Sequence, residues 1–153
     1  MHVIRTNDGA PLRRMLLLDA ATSGAMGLTL LSAAGPLAPL LGLPTSLLRW
    51  TGVLLIPFSA SLVGLARRTP APLGGARAVV VANALWVVGS VALLLGGALS
   101  PTRLGVLFVL AQAAVVALFA YLEQVAVRRA SATSLQPTTL RADSAASAAR
   151  STT

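Results

Sequence analysis

Residues 78–98 read AVVVANALWVVGSVALLLGGA, and apart from the indole of Trp86 only Asn83 and Ser90 interrupt the apolar run. A run of this kind spans the hydrocarbon core of a bilayer, roughly 30 Å, as one helix of about 20 residues. Three more runs of similar length surround it, at about 15–34, 47–66 and 104–127. Gly and Pro separate them where helices should stop: Gly35, Pro36, Pro39 and Pro44 between the first two, Pro70, Pro72, Gly74 and Gly75 between the middle two, Pro101 before the last. The pattern predicts an all-α fold, a bundle of four antiparallel transmembrane helices joined by short loops.

Composition agrees with that class. The 153 residues are 56% hydrophobic and 10% charged. A soluble domain of this size cannot bury so much apolar surface, because small domains hide only part of what they would expose. The net charge of +8 comes entirely from arginine, since the chain has no lysine. Nucleic-acid binding would need those charges in a patch interleaved with aromatics, whereas here they flank the apolar runs, so no nucleic-acid partner is expected. The chain has no Cys, and its one His is His2. This excludes thiol redox chemistry, zinc sites built on His and Cys, and haem held by intramembrane histidines. No cofactor or metal is expected.

Arg13 and Arg14 precede the first run, and Ser32-Ala33-Ala34 resembles a cleavage site. The run is too long for a signal-peptide core and contains Asp19, which predicts a retained helix. The domain reading is therefore a cytoplasmic segment over 1–14, a four-helix membrane domain over 15–127, and a tail over 128–153. That tail is rich in Ala, Ser and Thr, buries little, and is expected to be disordered, with at most a turn or two of helix near 142–150. The first linker, GPLAPLLGLPTSLL (35–48), is apolar for a loop and reads as an interfacial or re-entrant segment whose backbone must be covered by protein.

Arginine placement sets orientation. With the N-terminus inside, Arg5, Arg13, Arg14, Arg67, Arg68, Arg77, Arg128, Arg129, Arg141 and Arg150 are cytoplasmic, against Arg49 and Arg103 outside. Both termini are expected on the cytoplasmic side of a bacterial inner membrane. Trp50 and Tyr121, near helix ends, suit the aromatic belt.

Polar residues inside a span are costly and each asks for a reason. Asp19, Ser61, Asn83, Glu123 and Gln124 all lie five or six positions from a cytoplasmic arginine, roughly 7–9 Å inside the boundary at 1.5 Å per residue. If their faces turn inward they form one polar layer with two carboxylates, which Trp86, three positions from Asn83, would cap. Such a layer is a candidate proton or cation site, because paired carboxylates in low dielectric compete for protons. The plainer reading is that Asp19, Ser61 and Asn83 hydrogen-bond to fix helix register, with Glu123 turned toward Arg128 or Arg14. Gln112 is expected to bond between helices. Ala20, Gly24 and Gly27 on the first helix, and Ala82, Gly89 and Gly96 on the third, form small-residue faces expected to pack helix one on helix three. Pro57 should kink the second helix and free a carbonyl near Val53. A weak two-hairpin repeat aligns Asp19 with Asn83 and Arg67 with Arg128.

The segments AAGPLAPLLGLP (33–44), ANALWVVGSVALLL (82–95) and LSPTRLGVLFVLAQAAVVALFAYLE (99–123) resemble a group of small four-helix membrane proteins of GC-rich bacteria, over roughly residues 12–128. The resemblance implies the architecture and no activity. The arrangement is also similar to that of DoxX-like proteins, but their first-helix pattern of an Arg followed by Gly-rich aromatic turns is missing. Three functional classes follow. The first is a non-enzymatic accessory subunit or binder of lipid or a small hydrophobe, with membrane lipid and a second copy or another protein as partners. The second is a small proton-coupled carrier using Asp19 and Glu123. The third, an enzyme, ranks last because no nucleophile–base pair is present.

Overall fold

The computed structural model describes residues 10–68 and 72–150, the stretch from 133 onward through its backbone alone. Residues 1–9 of the expected N-terminal segment, Arg5 among them, and Pro70 lie outside the described residues, as do the side chains of Arg141 and Arg150. Four helices follow one another: α1 (Ala10–Leu41), α2 (Thr45–Ala66), α3 (Leu73–Leu95) and α4 (Arg103–Arg150). Each contains a segment long and apolar enough to cross a membrane, α4 over Arg103–Ala132. The fold is thus an all-α four-helix bundle of the multi-pass membrane class.

Its outer surface is apolar, and charged groups lie inside beside an apolar core. Leu28, Leu85, Val88, Leu95 and Leu107 stand exposed, while Asp19 and Glu123 are among the largest fully buried side chains. A surface of this kind is tolerated where the solvent is lipid. Trp50 and Tyr121 are also exposed, as a membrane-interface role requires.

Around the bundle, α1 packs along both α2 and α4, and α3 packs along α4, while α2 and α3 barely meet. That order places α1 and α3 on a diagonal with no backbone approach among the described residues, which corrects the expected packing of helix one on helix three. The small residues of α1 serve α2 instead. A Cβ on Gly27 would stand 3.0 Å from Leu55 Cβ, and one on Gly52 would stand 2.9 Å from the Gly27 carbonyl oxygen. Two glycines therefore face each other and let the backbones of α1 and α2 close together. On α3, Ala82, Gly89 and Gly96 are all exposed, and a Cβ on Gly89 would touch nothing within 4 Å.

The first linker also differs from expectation. Instead of a re-entrant loop, α1 continues as helix through Pro36 and Pro39 to Leu41. Both prolines are exposed, so the carbonyls their rings leave without partners sit on the outer side of the helix, away from the bundle. The helix ends at Gly42, whose φ of 63° is the left-handed conformation glycine tolerates best. The Leu43 amide then donates back to the Ala38 carbonyl at 3.1 Å, the bond that closes a Schellman motif.

Thr102 fastens this end of α1 to the start of α4. Its Oγ1 accepts from the Gly105 amide (3.0 Å), capping α4, and donates to the Leu40 carbonyl (2.7 Å), while its own amide donates to the Leu41 carbonyl (3.0 Å). One hydroxyl thus satisfies orphan groups of two helix ends. The Cα of Gly105 lies so close to the Leu41 carbonyl that no Cβ fits.

The helix bounds otherwise move by a few residues. α2 and α3 start after Pro44 and Pro72, both in extended backbone, and α2 continues as helix past the exposed Pro57. The backbone of α4 does not stop at Val127 but remains helical to Arg150, where an unstructured tail was expected. The stretch is rich in alanine, the strongest helix former, and adding residues to an existing helix avoids the cost of nucleation.

Candidate functional site

Asp19, Asn83 and Glu123 come from α1, α3 and α4 and meet near the bundle axis, at 1%, 3% and 0% exposure. The Asn83 amide nitrogen donates one hydrogen to Asp19 Oδ2 at 2.9 Å and the other to Glu123 Oε2 at 3.1 Å. Ser23, one turn along α1, donates to Asp19 Oδ1 at 2.8 Å. Glu123 Oε1 is fully buried and receives no hydrogen bond. The outcome is a carboxylate–amide–carboxylate bridge that ties the diagonal helices α1 and α3 through side chains alone.

Local sequence explains each position. Asp19 and Ser23 share a face because they are four apart on a helix. Leu12, Leu16 and Ala20 of α1, Leu62 and Ala66 of α2, Val79 of α3, and Ala126 and Val127 of α4 form the apolar cluster at this end of the bundle, which keeps bulk water from the acids. The arginines whose side chains are described are all exposed. Glu123 therefore does not meet Arg14 or Arg128. It turns inward, where the bridging amide is its donor. Carboxylates held in low dielectric without basic partners are expensive to keep, so this layer carries a concentrated demand for positive charge or donors.

Not every residue expected in the layer joins it. Ser61 is exposed and donates to the Phe58 carbonyl of its own helix (2.6 Å). The serine of α2 that reaches another helix is Ser59, which donates to the Ala20 carbonyl at 2.7 Å. Gln124 is half-buried beside Glu123 and outside the bridge. Gln112 does reach between helices, its Nε2 lying 3.5 Å from Ser90 Oγ on α3.

Above the bridge, all four helices line a cavity of about 440 Å³. Its floor carries Ser23 and Asn83; its walls are Met26, Phe58, Trp86, Phe108, Val116 and Phe119, with Thr22 and Gln112 as further polar residues. Trp86 lines this cavity together with Asn83. A second cavity of about 520 Å³ lies between the outer parts of α2 and α3, and shares Ala82, Trp86, Phe108 and Gln112 with the first. The two are stacked along the side where α2 and α3 fail to close. Neither the cavities nor Ser23 were singled out in the sequence, although the spacing of Ser23 from Asp19 was a usable signal.

Among the described residues, no group of three or more His, Cys, Asp and Glu side chains gathers as a metal site would require. Fold and site together define a four-helix membrane bundle with a buried acid pair under an apolar chamber. Compared with known proteins, the chain has no significant match to any family model, curated protein or solved structure.

Proposed function

We propose that this protein is a non-enzymatic membrane protein that binds a small hydrophobic molecule in the chamber between α2 and α3. The observation that carries the reading is the chamber itself. Its volume of about 440 Å³ lies in the range of small-molecule sites, and it is walled by aromatic and aliphatic side chains over a few convergent polar groups, as such sites are. Close packing is the rule for protein interiors, so a void lined from all four helices beside a weak helix contact argues for an occupant. Access is lateral, from the bilayer through the gap between α2 and α3. The arginine asymmetry supports a cytoplasmic location for the acid layer and both termini, in a bacterial inner membrane.

The test uses tryptophan fluorescence. The chain has two tryptophans, and Trp50→Phe leaves Trp86, in the chamber wall, as the sole emitter. Titration of that variant in detergent with 1-bromooctane, a heavy-atom quencher, should give saturable quenching, which Ala82→Phe should abolish by filling the chamber. Quenching that rises linearly and ignores Ala82→Phe would mean simple partitioning into the micelle, and the reading would fail.

A second reading, a small proton-coupled carrier working on Asp19 and Glu123, is favoured by the donor-free Glu123 Oε1. Its signature would be proton flux in proteoliposomes that disappears in the Asp19→Asn/Glu123→Gln double variant.

A further inference from the structure

The hydrogen bonds below the chamber decide what kind of headgroup its floor can receive. Asn83 spends both hydrogens of its amide nitrogen on the two carboxylates. Its remaining polar atom, Oδ1, is an acceptor. Ser23 commits its hydrogen to Asp19, and Thr22 commits its own to the Leu18 carbonyl at 2.9 Å. Each of those hydroxyls therefore offers the chamber lone pairs and no proton. The other donors in the lining are the Trp86 indole and one N–H of Gln112. Behind the floor stand two acids with no basic partner among the described residues, one of them with a wholly buried oxygen, Glu123 Oε1, that has no hydrogen-bond partner there.

Such a floor repels anions and gives a neutral acceptor nothing to bond to. It suits a group that brings donors and positive charge together, in a chamber whose Phe58, Trp86 and Phe108 faces also attract cations. We infer that the chamber binds a lipophilic protonated amine, its ammonium hydrogens on Asn83 Oδ1 and Ser23 Oγ and its charge facing the acid pair of Asp19 and Glu123 behind the floor. The inference rests on the reading of the chamber as a ligand site and adds the chemical class of the ligand.

The experiment is displacement of 1-bromooctane from the Trp50→Phe protein by four probes with closely similar unbranched alkyl tails and different headgroups, compared at equal micellar concentration and neutral pH. Octylammonium should displace at a concentration roughly tenfold or more below octan-1-ol, as a charge-assisted bond outweighs a neutral one. Octyltrimethylammonium, a cation without N–H, should fall between them, and octanoate should be weakest. In Asp19→Asn/Glu123→Gln the advantage of octylammonium over octanol, read as the ratio of their displacement concentrations in that same protein, should vanish. Octanol equal to octylammonium in the otherwise native protein would overturn the inference without use of the double variant, and so would an ammonium preference that survives loss of both acids. If saturable bromooctane quenching is absent, or no probe displaces it, the chamber reading itself falls and the amine falls with it.

Discussion

Replacing Asn83 with leucine keeps roughly the volume of the side chain and removes the amide that donates to both Asp19 and Glu123. Two intramembrane hydrogen bonds disappear, at 2.9 and 3.1 Å, each worth about 0.6 kcal/mol on average between membrane helices. Asp19 keeps the Ser23 hydroxyl. Glu123, with Oε1 already unpartnered, loses its amide donor in a site at 0% exposure, which adds about 1–3 kcal/mol. The expected loss is about 3 kcal/mol, measured by reversible unfolding in mixed micelles of mild detergent and dodecyl sulfate. Ser61→Ala, which removes one bond to its own helix at an exposed position, should change stability by less than about 0.5 kcal/mol. The decisive step is a mutant cycle: in an Asp19→Leu/Glu123→Leu background the same Asn83→Leu change should cost far less, a coupling of about 1–3 kcal/mol. If Asn83→Leu behaves like Ser61→Ala, or costs the same with and without the acids, the bridge does not hold α1, α3 and α4 together and the reasoning is refuted.

Two further predictions concern the frame around the site. Thr102→Val keeps the side-chain shape but removes the hydroxyl that caps α4 and binds the Leu40 carbonyl; it should destabilise by about 1–2 kcal/mol, and hydrogen exchange should accelerate at the end of α1 as well as at the start of α4. Gly27→Val drives a side chain into Leu55 and the Gly52 carbonyl and should cost about 1–3 kcal/mol, whereas Gly89→Ala meets open space on α3 and should be neutral or stabilising by up to about 1 kcal/mol. Equal losses at the two glycines would contradict the packing of α1 on α2 over α3.

Some of the site was legible before any helix was placed. Asp19, Asn83 and Glu123 stand at matching distances from arginines that mark one membrane boundary, so a shared depth follows from the rise of a helix alone. What could not be read was rotation. Ser61 has the right depth and faces outward, while Ser59, two positions away, bonds to α1. Thr102 looked like a loop residue because its partners, Leu40 and Leu41, belong to a segment whose prolines argued for a break.

The sequence by itself determined four apolar spans, the end at which the charges gather, and the shared level of Asp19, Asn83 and Glu123 along their helices. Those are one-dimensional quantities, set by the thickness of a bilayer and the rise per residue. The tertiary structure decided which helix packs on which, which serine turns inward, and that α2 and α3 leave a chamber between them. The physical reason is that lipid and bundle interior are both apolar, so a leucine gains nearly the same from either and no hydrophobic periodicity marks the inner face. Only the few polar atoms distinguish inside from outside, and their partners lie on other helices, brought within reach by close approaches such as that of Gly27 and Gly52.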